Sequence, residues 1–202
     1  MRWHEPLDDI LNSKVKVKIL RLLSRTRTFF TGREVSRLVG FSPTHTISAL
    51  RELEVNGLVS RRRAGSSDLY SLNTKNIMVD KALIPLFSWE QTLFDELVEL
   101  FKQVFVEDLL CIILFGSVAL GEESFNSDID LLLVLKDGTD ITLAEEEIAE
   151  VSLGAAIRFG NPISPIIVTE NDFNIKVKSA KGFWKEIPKK SITIYSRGVE
   201  KE

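Results

Sequence analysis

The sequence contains little that could form covalent cross-links or cross a membrane. Its one cysteine, Cys111, lies inside the apolar stretch LLCIILF, so no intramolecular disulfide can form. The longest apolar stretches, such as Leu109–Phe115 and, apart from Asp130, Ile129–Leu135, are far shorter than the roughly 20 residues that a membrane-spanning helix needs. Met1–Asp9 is polar and acidic and does not show the pattern of a signal peptide. We therefore predict a cytoplasmic protein with no membrane partner.

Charge is distributed unevenly along the 202 residues of the chain. Met1–Lys75 contain 14 Lys and Arg against 7 Asp and Glu, a net charge of +7, whereas Asn76–Glu202 contain 12 against 22, a net charge of −10. The composition, with 44% hydrophobic and 27% charged residues, is that of an ordinary globular protein, and the length allows one large domain or two small ones. The charge difference favours two modules, of which the basic one is expected to bind a polyanion.

The first 75 residues show the pattern of three short helices and a hairpin. Apolar residues recur at helical spacing over Pro6–Leu23, and a second helix is expected from Thr31, where TGRE forms a capping box. A third helix begins at SPTH, because Ser42 can cap it and proline suits the first helical position. The segments LVSRRR and DLYSLN, separated by AGSS, then indicate two antiparallel strands. This order predicts a winged helix-turn-helix domain over residues 1–75.

Exposed polar residues make this module a candidate for binding double-stranded DNA. The third helix would present small and basic side chains to a major groove, and the hairpin would present three arginines to phosphates or a minor groove. The candidate residues are Thr44, His45, Ser48, Arg51, Arg61, Arg62 and Arg63. The module resembles the winged-helix domains of bacterial and archaeal transcription regulators, and that resemblance implies a homodimer. The arginine triplet could instead be merely solvated, and such modules also serve in dimerisation or protein docking.

The acidic part is predicted to form an α/β layer with a mixed sheet flanked by helices. We expect a linker over residues 76–84 and a second domain over residues 85–202. The predicted helices and strands of that domain are Pro85–Phe105, Leu109–Phe115, Asp128–Leu135, Thr142–Phe159, Ile163–Val168 and Ile192–Tyr195.

Two carboxylates and a Gly-Ser step provide the chemistry of the second domain. Residues two apart in a strand point to the same face, so Asp128 and Asp130 would project together while their apolar neighbours enter the core. Such a pair is repulsive unless cations lie between the carboxylates, and Mg²⁺ or Mn²⁺ would suit them. The backbone at Gly116 and the hydroxyl of Ser117 could hold the phosphates of a nucleotide. The combination suits nucleotidyl transfer by a two-metal mechanism.

The segment GSVALGEESFNSDIDLLLV resembles the signature of the DNA polymerase β nucleotidyltransferase superfamily in its minimal form. The resemblance covers roughly residues 109–168, and FWKEIPKKSITIY is similar to the closing helix and strand of the family. It implies that Gly116 and Ser117 bind the phosphates of an NTP, with ATP expected, and that Asp128 and Asp130 are catalytic residues that bind the metal.

The sequence departs from the family pattern at two places. Catalytic members carry a third carboxylate on a later strand, but the expected strand ISPIIV has Ser164, Ile166 and Val168 at the corresponding positions. Leu120 replaces a basic residue that is common in the family. Either a carboxylate elsewhere reaches the site, for which Glu170, Asp172 and Glu122 are candidates, or the site binds nucleotide and metal without efficient turnover.

Three functions are consistent with these observations. The first is an enzyme that transfers NMP from a Mg²⁺-bound NTP to an unidentified hydroxyl. The second is a catalytically weak or inactive regulator that senses a nucleotide and binds DNA. The third follows from the resemblance alone: minimal nucleotidyltransferases are often antitoxins paired with a small helical toxin.

Overall fold

The structure is a computed structural model that describes residues 3–179 and 181–198. The chain forms two compact units, divided between Thr92 and Leu93. None of the helices in the described part of the chain is long and apolar enough to cross a membrane.

The N-terminal unit is a winged helix-turn-helix. Its helices and strands are α1 (Pro6–Ile10), α2 (Lys14–Thr26), β1 (Phe30–Thr31), α3 (Gly32–Val39), α4 (Pro43–Val55), β2 (Val59–Ala64) and β3 (Ser67–Leu72). The three strands form an antiparallel sheet in the order β1-β3-β2. Strands β2 and β3 form the predicted hairpin, which is the wing. The predicted first helix is divided in two, since α1 ends before Leu11 and α2 begins after Ser13, which holds the N-cap position without a side-chain hydrogen bond.

The predicted helix starts are confirmed by their hydrogen bonds. Thr31 and Glu34 form the capping box of α3, in which the Thr31 N–H donates to the Glu34 carboxylate at 2.7 Å. The Ser42 hydroxyl accepts from the backbone N–H of His45 at the start of α4. These contacts satisfy backbone donors that have no partner within the helix.

The predicted linker, residues 76–84, belongs instead to the core of the N-terminal unit. A π-helical turn covers Val79–Leu83, α5 covers Ile84–Trp89 and a 3-10 turn covers Glu90–Thr92. The side chains of Val79, Leu83 and Phe87 are buried among those of the three-helix core. The predicted domain boundary at residues 84 and 85 therefore differs from the division in the structure.

Two ion pairs that the sequence did not indicate join distant parts of this unit. Lys16 is only 6% exposed, and its ammonium group lies 2.7 Å from the Glu52 carboxylate of α4. Arg21 of α2 donates two hydrogen bonds to the Glu90 carboxylate, at 2.6 and 2.8 Å. The hydrogen bond from Arg21 is the main cause that lowers the pKa of Glu90.

The C-terminal unit contains a mixed four-stranded sheet flanked by helices. Its helices and strands are α6 (Leu93–Val104), β4 (Leu109–Phe115), α7 (Gly116–Leu120), β5 (Ile129–Leu135), α8 (Ile141–Phe159), β6 (Ile163–Thr169), α9 (Glu170–Ser179), α10 (Phe183–Glu186) and β7 (Ile192–Ser196). A 3-10 turn, Ile187–Lys189, follows α10. The strand order is β6-β5-β4-β7, in which β5 and β6 are parallel and the other pairs are antiparallel.

The two faces of this sheet have different hydrophobic partners. Ile129, Leu131, Leu133 and Leu135 of β5 pack with side chains of α6 and α8. The alternating residues of β5, Leu132 and Val134, belong to a second cluster with the aromatic rings of α9 and α10. Asp130, Leu132 and Val134 are two residues apart along β5 and therefore share a face, so the Asp130 carboxylate projects on the face that α9 and α10 cover.

Cys111 is a core residue of β4 with low reactivity. Its thiol is half-buried, and burial, with the nearby charge of Glu170 as a smaller cause, raises its pKa to about 11. A thiol with that pKa is protonated at neutral pH and is a poor nucleophile.

Candidate functional site

Asp130 lies in the middle of the sheet, at the end of β5 where the chain enters from a polar loop. It is paired with Phe115 of β4 on one side and with Ser164 of β6 on the other. Asp128 directly precedes the strand and is exposed. The structure therefore places the two predicted aspartates at one end of the sheet, next to the end of β4.

The pKa of Asp130 reflects both its burial and the nearby carboxylate of Asp128. Burial is the main cause that raises the pKa of Asp130, and the negative charge of Asp128 raises it further. In residues 3–179 and 181–198, no group of three or more His, Cys, Asp and Glu side chains could hold a metal ion. Two carboxylates can still bind a hard divalent cation whose other ligands come from phosphate and water.

Gly116 connects β4 to α7 directly beside the Asp130 carboxylate. Its φ angle is +71°, a conformation that favours glycine. A Cβ atom built on Gly116 would overlap Oδ2 of Asp130 and lie 2.9 Å from its Cγ. Ser117 follows in the first turn of α7, where it is half-buried. The predicted phosphate-binding step and the predicted metal ligands thus lie together.

Ser164 occupies the place in β6 where a third carboxylate was expected. It is the register partner of Asp130, and its hydroxyl donates to Oδ2 of Asp128 at 3.1 Å. A neutral hydroxyl at this position holds Asp128 in place but adds no negative charge to the site.

Glu170 and Asp172 lie at the opposite end of the sheet. Because β5 and β6 are parallel and Thr169 pairs with Leu135, the start of α9 is about 20 Å from Asp130 along the strand direction. The hypothesis that either of these carboxylates completes the site is therefore wrong. Glu122 follows α7 and is exposed, and its backbone N–H donates to the carbonyl of Ser117 at 3.0 Å.

Asn161 is a site residue that sequence reasoning missed. Its side-chain amide donates to the backbone carbonyls of Phe125 and Ser127, at 3.2 and 3.0 Å. The backbone N–H of Ile129 also donates to the carbonyl of Pro162 at 2.8 Å. The segment before β6 thus positions the loop that leads to Asp128. In the sequence, the Asn-Pro step immediately before β6 is the feature that could have indicated this role.

The predicted DNA-contacting residues of the N-terminal unit are exposed on α4 and the wing. Thr44, His45, Ser48 and Arg51 all face solvent, while Thr46, Ala49, Leu50 and Leu53 are buried. Ile47 is half-buried and lies over Gly32 of α3.

The three wing arginines make different contacts and do not form a single patch. The Arg61 guanidinium lies 2.9 Å from the Glu54 carboxylate and 3.3 Å from that of Asp68. Arg62, on the other side of β2, lies over the ring of Phe29 at 4.3 Å from its centroid. Arg63 donates to the carbonyl of Gly65 at 3.4 Å. Arg61 is therefore neutralised by carboxylates of α4 and β3, whereas Arg62 and Arg63 keep their positive charges without acidic partners among the described residues.

Comparison with known proteins gives a result for each half of the chain. The family model described as polymerase beta, nucleotidyltransferase matches residues 95–200. A protein of Methanocaldococcus jannaschii named "Putative protein adenylyltransferase" is 36% identical over 85 residues, which are 42% of this chain and 58% of that protein. The chain thus spans less than two thirds of the length of that curated relative.

Solved structures similar to this chain include two bacterial proteins. The homodimeric winged helix-turn-helix DNA-binding domain of a Mycobacterium bovis protein is 23% identical, with 45% of this chain and 77% of that chain covered and a TM-score of 0.34. NolR from Sinorhizobium fredii is 28% identical, with 40% and 75% covered and a TM-score of 0.34.

Proposed function

Since the chain belongs to the polymerase beta nucleotidyltransferase family, we propose that its C-terminal unit transfers NMP from a Mg²⁺-bound NTP to a hydroxyl acceptor. ATP is the expected donor. The observation that carries the proposal is the position of Asp128 and Asp130 beside the Gly116–Ser117 step. In the reaction the acceptor hydroxyl gives its proton to water, its oxygen forms a bond to the α-phosphorus, and the bond between the α-phosphorus and the α–β bridging oxygen breaks, so that pyrophosphate leaves.

Each site residue has a distinct part in this proposal. Asp128 and Asp130 would hold Mg²⁺ or Mn²⁺, which when bound neutralises the charge that develops on the phosphates. Gly116 leaves room for the Asp130 carboxylate, and the Ser117 hydroxyl donates to a phosphate oxygen. Ser164 orients Asp128 by its hydrogen bond at 3.1 Å. Since Ser164 cannot accept the proton of the acceptor as a carboxylate would, we expect slow turnover.

The acceptor is proposed to be a protein hydroxyl. The similarity to a protein named "Putative protein adenylyltransferase" supports this choice. The reaction would then attach AMP to a serine, threonine or tyrosine side chain of the acceptor protein.

The N-terminal unit is proposed to bind double-stranded DNA as a homodimer in a cytoplasmic protein. The net charge of +7 over residues 1–75 and the exposure of Ser48 and Arg51 on α4 support this proposal. Binding that depends on phosphate contacts should weaken steeply as salt concentration rises.

Calorimetric titration of ATP with Mg²⁺ into the whole protein tests the nucleotide site. We expect metal-dependent binding by the unmodified protein and its loss in Asp128→Ala/Asp130→Ala. The matched control is Glu145→Ala/Glu146→Ala, which removes two exposed carboxylates of α8 and should leave binding unchanged. Absence of Mg²⁺-dependent binding by the unmodified protein would overturn the proposal.

A second candidate function, nucleotide sensing without transfer, is favoured by the presence of Ser164 where a third carboxylate was expected. Intact-mass measurement of acceptor proteins incubated with the protein, Mg²⁺ or Mn²⁺ and ATP distinguishes the two functions. Addition of one AMP group supports the enzyme, whereas binding without transfer over a broad acceptor panel supports the sensor. An antitoxin role stays a prediction, which a neighbouring reading frame for a short, charged, all-helical protein would support.

A further inference from the structure

An apolar cavity of about 240 Å³ opens beside the Gly-Ser step of the C-terminal unit. Its walls include Phe115 at the end of β4, Leu120 at the end of α7, and Phe183 and Ile187 from the α10 region. Glu186 and Lys190 also line it, but their charged ends pair with each other at 3.0 Å on the surface. The space is therefore bounded almost wholly by hydrocarbon and aromatic rings.

The cavity adjoins the proposed triphosphate site. Gly116 lines it, and the same residue touches the Asp130 carboxylate. Phe115, which is the register partner of Asp130, also lines it. A molecule with its phosphates at the Gly-Ser step would therefore have the remainder of its structure close to this opening.

The aromatic rings at the cavity are held by one another. The Phe115 and Phe183 rings meet edge to face, with centroids 4.9 Å apart at 69°. The Phe183 and Trp184 rings meet in the same manner, at 5.1 Å and 80°. Phe183 is thereby fixed on a short helix while 38% of its surface stays accessible. A ring with an accessible face on a rigid support is suited to stacking against a flat aromatic ligand.

We propose that this cavity binds the nucleobase of the NTP, which stacks on Phe183. The inference rests on the proposed function, because the phosphates must first lie at Gly116 and Ser117. Every base has a π-face, so stacking on an aromatic side chain does not depend on base identity. Since the walls offer almost no donor or acceptor to the edge of a base, ATP and GTP should bind within about threefold of each other.

The test measures binding of Mg²⁺-ATP, Mg²⁺-GTP and Mg²⁺-tripolyphosphate to the whole protein by calorimetry. Tripolyphosphate has the charges of the nucleotide but no base. We expect Phe183→Ala to weaken ATP and GTP binding by roughly tenfold and to leave tripolyphosphate binding unchanged. Phe94→Ala is the matched control, because Phe94 has the same exposure, 37% against 38%, but lies on α6 outside the cavity.

A second variant keeps the test decisive if Phe183→Ala folds poorly. Leu120 is 49% exposed at the cavity, so Leu120→Trp should be accommodated by the fold while its larger ring fills the opening. This variant should weaken ATP binding at least tenfold and retain tripolyphosphate binding. Circular dichroism and thermal unfolding verify that each variant is folded.

The outcomes separate this inference from the function on which it rests. If the unmodified protein binds neither ATP nor tripolyphosphate, the proposed function fails and the base subsite fails with it. If both ligands bind but neither cavity variant changes the ATP to tripolyphosphate ratio, the nucleotide site stands and the base subsite is overturned. A strong preference for ATP over GTP would also contradict an apolar cavity, since it requires hydrogen bonds to the base edge.

Discussion

Gly116 and Asp130 are in such close contact that only glycine leaves room for the carboxylate. A Cβ atom on Gly116 would lie 2.9 Å from Cγ of Asp130, and the backbone there has a φ angle of +71°. We expect Gly116→Ala to destabilise the protein by about 1–3 kcal/mol and to abolish Mg²⁺-ATP binding, because the carboxylate must move.

Gly121→Ala distinguishes backbone strain at a positive φ angle from steric overlap with the Asp130 carboxylate. Gly121 ends α7 with a similar φ of +68°, but a Cβ there would meet nothing within 4 Å. The free energy of unfolding of this control should fall by about 1 kcal/mol because of backbone strain alone, and its affinity for Mg²⁺-ATP should be unchanged. Equal losses of affinity in the two variants, measured by calorimetry and urea unfolding, would contradict a specific role for the Gly116–Asp130 contact.

The raised pKa of Asp130 predicts a pH-dependent change in stability. Because the folded state holds the Asp130 proton more tightly than the unfolded state does, the stability that this group contributes falls as pH rises from about 4 through the raised pKa. Asp130→Asn should therefore raise the free energy of unfolding at pH 7, and the difference should shrink towards pH 4. Urea unfolding over this pH range measures it, with Glu145→Gln on the exposed face of α8 as control.

With Mg²⁺ and ATP, the unmodified protein should become more stable than Asp130→Asn. A ligand at one hundred times its Kd stabilises the folded state by about 2.7 kcal/mol. We expect the unmodified protein to gain stability with Mg²⁺ and ATP, and Asp130→Asn to gain none. If Asp130→Asn were less stable than the unmodified protein at pH 7 without metal, this result would show that the Asp130 charge does not oppose folding.

Ser164→Asp should convert the neutral position on β6 into a third metal ligand. Its side chain would lie beside Asp128, to which Ser164 now donates at 3.1 Å, so the metal-free variant should be less stable than the unmodified protein. Added Mg²⁺ should stabilise the variant more than the unmodified protein, with at least tenfold tighter Mg²⁺-ATP binding. Ser164→Asn, which adds bulk without charge, should show neither effect. A thermal shift with Mg²⁺ that is no larger in Ser164→Asp would contradict this assignment.

The contacts of the wing predict unequal roles for adjacent arginines. Arg62→Ala should weaken DNA binding and reduce the dependence of affinity on salt by about one counterion, because its guanidinium has no acidic partner within residues 3–179 and 181–198 and can contact a phosphate. Arg61→Ala should change DNA affinity little, since its guanidinium already lies against Glu54 and Asp68. Fluorescence anisotropy at several salt concentrations tests this difference, and equal slopes for the two variants would contradict it.

Local sequence signals predicted those features that depend on neighbouring residues. The capping box at Thr31, the capping serine at the start of α4 and the bounds of β4 are all confirmed. Asp128 and Asp130 could be paired from sequence because alternation in one strand places them together.

Features that depend on contacts between distant residues were not predicted. The apolar periodicity of Val79, Leu83 and Phe87 indicates a buried helix face but does not specify which core contains it. The burial of Lys16 depends on Glu52, on another helix. Similarly, the exclusion of Glu170 from the site follows from the register between β5 and β6, which the residues of β6 alone do not determine.

The burial of Val79, Leu83 and Phe87 and the pairing of Arg21 with Glu90 determine where the chain can be cut. A fragment that ends at residue 75 would lack these three buried side chains and the carboxylate that pairs with Arg21. Its hydrophobic core would be incomplete, and it should aggregate when expressed. A fragment that ends at residue 92 retains all of these groups. Experiments that separate the winged-helix unit from the nucleotidyltransferase unit should therefore end the first fragment after Thr92, seventeen residues beyond the end of the winged-helix segment that the sequence indicated.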